Sequence, residues 1–277
     1  MNMISGSERF IAKLLAEKTG QEISQDRQWR IGTSLAGIFR EKGISNVDQL
    51  VCMLDAPDHG ALAQQVVEAL LNNETYFFRD RAMFDQLAAN VLPRIAERKA
   101  HSKTVSILCA GCSTGQEALS LAMLFLQHKA RWDGWNIEIT GVDVSHAAIA
   151  SARAAVYSQF EVQRGLSVTQ MLAHFAETPV GWEAREEIRR MTQFRVHNLL
   201  RPLETASRFD MILCRNVLLY FDQPTRQVVL GNLLDKLHPD GWFMLGAGET
   251  VADPASPLKP VLNGINLYRT TETSLDG

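Results

Sequence analysis

The stretch VSILCAGCSTGQEALSLA, residues 105–122, decides the fold. Val105 to Ala110 is an apolar run broken only by Ser106, and it stops at Gly111. Such a run reads as a buried strand. From Ser113 or Thr114, taken as the cap, the chain reads as a helix. Strand, glycine turn and helix together form the opening unit of a parallel α/β sheet. Gly111 and Gly115 let the backbone turn sharply and approach a ligand closely. The turn is not G-x-G-x-x-G, and no lysine follows its second glycine, so it is neither a dinucleotide fingerprint nor a P-loop. Glu117 at the helix start repels a pyrophosphate and suits a ligand with positive or neutral groups.

The alternation continues downstream. NIEITGVDVS (136–145), QFRVHN (193–198), FDMILCR (209–215) and GWFMLG (241–246) read as further strands. HAAIASARAAV (146–156) and residues 223–238 read as helices, the latter stopped by His238-Pro239-Asp240-Gly241. NLYRTT (266–271) adds an antiparallel edge strand. The pattern predicts a doubly wound α/β sheet. The interval before QFRVHN is too long for an ordinary connection and predicts an inserted helix and a small subdomain near 176–192.

Upstream the period is helical. Phe10, Ile11, Leu14 and Leu15 form a stripe closed by Gly20. Helices follow at 26–42, closed by Gly43, and at 46–55 and 58–72, with Asn46 and Asp58 as N-caps. A fifth, at 81–98, carries Phe84, Leu87, Val91, Leu92 and Ile95. ERKAHSKT (97–104) reads as a polar linker. The expected division is a helical domain over 1–88, a linker helix and linker over 89–104, and a ligand-binding domain over 105–277.

Composition narrows the function. With 46% apolar and 21% charged residues the chain is an ordinary globular one, and its net charge of −3 offers no general attraction for nucleic acid. No apolar run is long enough to span a bilayer, and MNMISGSERF lacks a secretory apolar core, so a cytoplasmic protein without membrane insertion is expected. Cys109 and Cys112 form a C-x-x-C, but no second pair or H-x-x-x-H accompanies it. The four cysteines read as small hydrophobes, and no metal is expected.

Ligands of doubly wound sheets lie beyond the carboxyl ends of the strands. Asp143 ends the second strand, where an acid accepts hydrogen bonds from ribose hydroxyls; Ser145 is then left to cap the following helix. Asn198, Arg215 and Asn216 end two further strands, and backbone groups near Asn198 and Leu199 suit an adenine edge. A nucleoside without a pyrophosphate, beside an acidic helix start, points to S-adenosylmethionine.

NNETYFFRD (72–80), AGCSTGQEALSLA (110–122), GVDVS (141–145), HNLL (197–200) and CRNVLLYFD (214–222) occur in the order found in the CheR-type chemotaxis methyltransferases, and the chain resembles that family over nearly its whole length. The resemblance implies a doubly wound S-adenosylmethionine-dependent methyltransferase fold with a small inserted β-subdomain, preceded by an all-helical N-terminal domain. It implies methyl-ester formation on glutamate side chains of chemoreceptor cytoplasmic helices, for adaptation in chemotaxis, with S-adenosylhomocysteine as product. Carried over by motif, Asn73, Thr75 and Arg79 are cofactor contacts from the segment that closes over it, with Glu117 at its methionine end and Asp143 at its ribose. Asn198 and Leu199 are the adenine-proximal contacts, Arg215 and Asn216 the strand-end contacts, and Arg79 and Tyr220 the catalytic residues. The chain departs from the family pattern at Gln116, at Ala118-Leu119 and in GAGET (246–250).

The block Tyr76-Phe77-Phe78 is expected to pin the segment against both domains so that Asn73, Thr75 and Arg79 face the cofactor. Arg27, Arg30, Arg40 and Lys42 are candidate contacts for an acidic receptor helix. AETPVGWEAREE (176–187) is short, so no pentapeptide tether at a receptor C-terminus is expected. The alternative reading is a methyltransferase-like signalling adaptor that binds S-adenosylmethionine without efficient turnover.

Overall fold

The computed structural model describes residues 6–24, 27, 29–56, 59–251, 256–261 and 266–270. The chain divides into two compact units, one of Met1–Asn72 with Leu219–Val228 and one of Asn73–Leu218 with Val229–Gly277.

The first unit is helical: Gly6–Thr19, Arg30–Lys42, Val47–Leu54 and Gly60–Leu70. Asn46 caps the third of these, its side chain accepting from the Gln49 N–H at 3.0 Å. Gly43 ends the second at φ 66°, a left-handed turn that glycine adopts without a Cβ penalty. The expected cap Asp58 and the expected start at Asp26 lie outside the described residues. Ile11, Ile31, Leu35, Leu50, Leu54 and Val66 form the core of this unit. The returning segment Leu219–Val228 joins it through a bridge between Gln21 and Phe221.

The second unit is built on a seven-stranded sheet. Its strands are β1 (Thr104–Ala110), β2 (Asn136–Asp143), β6 (Thr192–Val196), β7 (Phe209–Cys214), β8 (Leu237–Leu245), β9 (Leu258–Pro260) and β10 (Leu267–Thr270), in the order β6-β2-β1-β7-β8-β10-β9. β6, β2, β1, β7 and β8 run parallel, while β10 is antiparallel to β8 and β9 to β10. Between β2 and β6 a second sheet of three strands is inserted: β3 (Val156–Tyr157), β4 (Phe175–Thr178) and β5 (Gly181–Ala184), in the order β3-β5-β4. The insertion therefore starts well before residue 176.

The register aligns the functional ends. Ala110 lies opposite Val142, Asp143 opposite Val196, Cys109 opposite Leu213, and Cys214 opposite Leu245. The order reverses at β1, between β2 and β7, which makes their carboxyl ends the ligand position of such a sheet.

Three further sequence expectations differ from the structure. The division falls at Asn72/Asn73 rather than near residue 88, because Phe77, Phe78, Phe84, Leu87, Val91, Leu92 and Ile95 belong to the same buried cluster as Ile107, Ile139 and Leu213. The helix over 81–98 is two helices, Arg81–Gln86 and Leu92–Arg98, joined by a π-turn at Leu87–Val91. Pro93 has no N–H for the preceding turn, and Leu92 instead donates to the Leu87 carbonyl five residues back. The helix after β7 ends at Leu234, and His238-Pro239-Asp240-Gly241 lies within β8 rather than closing the helix. A register irregularity between Phe209 and Met211 accommodates this proline-containing stretch.

The crossover from β6 to β7 carries no helix. It leaves an open cavity of about 330 Å³ over one sheet face, lined by Ser106, Glu138, Thr140, Gln193, Arg195 and Ser207 among others.

Gly165 (φ +106°) lies where an added Cβ would come 1.8 Å from the Phe77 carbonyl oxygen. Gly165→Ala should lower stability by at least about 1–3 kcal/mol, measured as the urea midpoint, because backbone rather than a flexible side chain must move. An unchanged midpoint would show that the two segments do not pack as described.

Candidate functional site

The turn after β1 is held in an uncommon backbone conformation. Gly111, Ser113 and Gly115 all have positive φ (73°, 50° and 94°). Gly111 has no room for a side chain, since a Cβ would meet Val217 Cγ2 at 2.3 Å. Gly115, not Ser113 or Thr114, is the N-cap of the helix Gln116–Gln127, and no side chain caps it. Thr114 donates instead to Gln116 Oε1 at 2.8 Å, and Ser113 Oγ donates to the Asn73 carbonyl at 2.7 Å. Asn73 is thereby tied to the glycine turn.

Asp143 ends β2 and is buried. It is not the cap of the next helix: Ser145 Oγ accepts from the Ala148 N–H at 3.0 Å and fills that role. Asp143 uses Oδ2 to accept the Ser113 N–H and Oδ1 to accept the Ser145 N–H, both at 2.9 Å. These contacts orient the carboxylate at the end of β2.

Arg215, directly after β7, is the hub of the site. Its side chain is 2% exposed. It donates to Glu117 Oε2 at 2.8 Å, to Asp80 Oδ2 at 2.7 Å and to the Arg79 carbonyl at 2.7 Å, and it lies 5.6 Å from the Phe84 ring centroid. Its role in the structure is to join three segments, not to stand free as a ligand-facing cation. Sequence reading missed Asp80, a non-glycine residue at φ 60° whose carboxylate completes this arrangement. Arg79, whose carbonyl meets the hub, donates from its own side chain to the Glu74 carbonyl at 3.1 Å.

The aromatic block is divided. Phe77 is fully buried against Tyr157 and Phe175, and Phe78 against Phe84, with the Phe78 N–H donating to Ser120 Oγ at 2.9 Å. Both rings lie in the core of the second unit. Tyr76 lies beneath the Arg164 guanidinium, 4.4 Å from its ring centroid, and Arg164 also pairs with Glu74 at 2.6 Å. Thr75, between them, is half-buried.

Asn198 Oδ1 accepts the Leu200 N–H at 3.1 Å, an Asx-turn that starts the crossover. Leu199 is buried, and its carbonyl accepts from Asn232 Nδ2 at 2.9 Å. Asn216 has φ 59°, and its buried Oδ1 has no hydrogen-bond partner among the described residues. Tyr220 falls in the helical unit, where its hydroxyl accepts from Asn72 Nδ2 at 2.6 Å and its carbonyl from the Glu22 N–H at 2.7 Å.

The strand ends are rich in carboxylates. Asp80 and Glu117 pair with the buried cation Arg215, while Asp143 and Glu249 accept backbone N–H groups of the neighbouring turns. The cysteine thiols report this field. Burial pushes Cys109, Cys112 and Cys214 well above the usual thiol range, and the neighbouring charge of Glu117, Asp143 or Glu249 pushes each further. All three are free thiols; Cys109 is buried within β1 and Cys112 within the glycine turn. An excess of negative charge around preformed turns suits a ligand carrying positive charge and hydroxyl donors. S-adenosylmethionine, with its sulfonium, ammonium and ribose, fits this set, and the orphaned Asn216 oxygen offers a further acceptor.

Two outcomes follow. Arg215→Met leaves Asp80 and Glu117 without their partner and should lower stability by about 3–5 kcal/mol in denaturant unfolding; Arg215→Lys should fall between, since it keeps the charge but not the fork. In the native protein at pH 8, iodoacetamide should modify exposed Cys52 while Cys109, Cys112 and Cys214 react only on unfolding, as read by mass spectrometry.

Comparison with known proteins places the chain in a family. Residues 73–262 match the family model described as the CheR methyltransferase, SAM binding domain. The chain is 31% identical to chemotaxis protein methyltransferase 1 of Pseudomonas aeruginosa, over 86% of this chain and 88% of that one. It is 30% identical to a chemotaxis protein methyltransferase of Vibrio parahaemolyticus, over 88% of each chain. A probable biofilm formation methyltransferase, WspC, of Pseudomonas aeruginosa is 33% identical over 72% of this chain and 46% of its own length. On these matches the chain belongs to the CheR methyltransferase family.

Proposed function

We propose that the protein methylates specific glutamate side chains on the cytoplasmic helices of chemoreceptors. The single observation that carries this reading is the group of carboxylates at the ends of β1, β2 and β7, matched to a cationic nucleoside cofactor. When bound, S-adenosylmethionine supplies an electrophilic methyl on a cationic sulfur.

The substrate chemistry explains what the chain needs and what it does not. A glutamate carboxylate, with a pKa near 4.3, is already ionised at neutral pH, so no general base is required. One carboxylate oxygen forms a bond to the methyl carbon, the carbon–sulfur bond breaks with its electron pair going to sulfur, and an ester and S-adenosylhomocysteine result. Opposite charges cancel in this step, so excluding water favours it. The protein's task is alignment of oxygen, carbon and sulfur.

In this reading Glu117 meets the methionine end, Asp143 the ribose, and Asn198 with Leu199 the adenine. Asn73, Thr75 and Asn216 complete the cofactor contacts. Arg215 acts through Glu117, which it holds at 2.8 Å. Arg79 orients the incoming carboxylate and Tyr220 sits beside the transferred methyl. Arg27, Arg30, Arg40 and Lys42 supply positive charge for an acidic receptor helix. The three-stranded insertion, with strands of two to four residues, is read as working without a receptor pentapeptide. The protein acts in the cytoplasm; no helix among the described residues is long and apolar enough to cross a membrane.

The test is tritiated methyl transfer from S-adenosylmethionine to receptor cytoplasmic fragments. Label released by mild base identifies a methyl ester; base-stable label or none overturns the substrate assignment. Arg79→Ala should reduce kcat/KM by about a hundredfold through lost alignment, and Tyr220→Phe by about fivefold to tenfold through one lost hydroxyl. Wild-type turnover in either variant removes that residue from the reaction.

A further inference from the structure

The segment GAGET, 246–250, follows β8, and its one acid, Glu249, is buried. Glu249 is 6% exposed. Its Oε2 accepts the N–H of Asn216 at 2.6 Å and of Gly246 at 2.8 Å, and its Oε1 accepts the Val217 N–H at 2.9 Å. Three backbone donors at the end of β7 and β8 thus converge on one carboxylate from within the chain. Such a concavity of N–H groups binds anions, and here the anion is a side chain.

The surroundings fit this purpose. A Cβ on Gly246 would lie 2.8 Å from Glu249 Oε2 and 2.9 Å from the Asn216 nitrogen, so only glycine permits the approach. Asn266 Nδ2 donates to the Gly246 carbonyl at 2.7 Å and also to the Glu249 carbonyl, which ties the turn to the start of β10. What the carboxylate holds is Asn216 at φ 59°, a conformation that costs a non-glycine residue free energy unless its neighbours enforce it. In that conformation the Asn216 Oδ1 is buried with no hydrogen-bond partner among the described residues. A buried amide oxygen left without a donor is unfavourable by itself, and a ligand donor removes the penalty.

We propose that Glu249 is a positioning residue for cofactor binding: it fixes the left-handed turn at Asn216 so that the unused Asn216 side-chain oxygen accepts a hydrogen bond from bound S-adenosylmethionine. The inference rests on the cofactor assignment above and extends it to a residue outside the contact set. Glu249 does not touch the cofactor in this scheme, since its oxygens serve the chain's own amides.

Calorimetric titration with S-adenosylhomocysteine tests it without relying on turnover. Glu249→Gln keeps the shape but turns one acceptor into a donor facing an N–H, and should weaken binding about tenfold. Asn216→Ala should weaken it comparably. In the double variant the second change should add less than about threefold, because both act through one hydrogen bond. In the wild type, addition of S-adenosylhomocysteine should slow amide hydrogen exchange at Asn216 and Val217. Where Glu249→Gln lacks a cooperative melt, Glu249→Asp, which keeps the charge but shortens the reach, takes its place with the same expected pattern. Wild type that fails to bind overturns the cofactor reading itself. Wild type that binds while the Glu249 variant binds within about twofold of it, or a Glu249 effect that persists in full without the Asn216 side chain, overturns only the role of Glu249.

Discussion

A guanidinium that is almost wholly removed from water sets the terms for the second unit. Arg215 cannot lose its charge, so burial obliges the chain to surround it with acceptors. Asp80, Glu117 and the Arg79 carbonyl provide them from three separate stretches of sequence. The same bonds fix the carboxylate at the start of the helix Gln116–Gln127 and the backbone at the start of the helix Arg81–Gln86. Replacing a whole buried ion group with well-packed apolar residues is neutral in many cores, but removing the cation alone strands its carboxylates. Here it would also release Glu117, the group proposed to meet the methionine end of the cofactor. Stability and ligand geometry are therefore coupled through one residue.

Backbone conformation follows the same logic. Phe78, Asp80, Ser113 and Asn216 are four of the six described non-glycine residues with positive φ, and each borders the strand ends. Unfavourable conformers persist when their surroundings over-determine them. The Ser120 hydroxyl under the Phe78 N–H, the Arg215 fork on Asp80, the Asp143 carboxylate under the Ser113 N–H and Glu249 under the Asn216 N–H are those determinants. Each pairs a turn with a side chain from a different element. The site is thus rigid at positions where an isolated loop would sample many states.

Much of this was legible in the residues. The change from helical to alternating period near residue 105, the glycine turn and the acid ending GVDVS placed β1 and β2 correctly, because local pattern and burial agree there. Long-range pairing was not legible. Nothing adjacent to Asp80 announces that its partner is Arg215, since a salt bridge between distant segments leaves no periodic trace. The boundary at Asn72/Asn73 was missed for a related reason: an amphipathic helix such as Leu92–Arg98 shows that it has an apolar face, but not which core receives it. Pro239 within β8 misled in the opposite direction, because a proline in a strand reads as a stop unless the local bulge is known.

The crossover between β6 and β7 has one further bearing. Residues 197–208 span two intervening strands as open chain, and Ala206 and Ser207 near its far end are exposed. They lie toward the amino end of β7, away from the carboxyl ends where Asp143 and Arg215 stand. Added length in an open connection is opposed mainly by closure entropy, which grows by only about 0.6 kcal/mol for each doubling. An epitope or a small reporter spliced between Ala206 and Ser207 would ride on the molecule at the edge remote from its chemistry, giving a label that leaves both termini untouched.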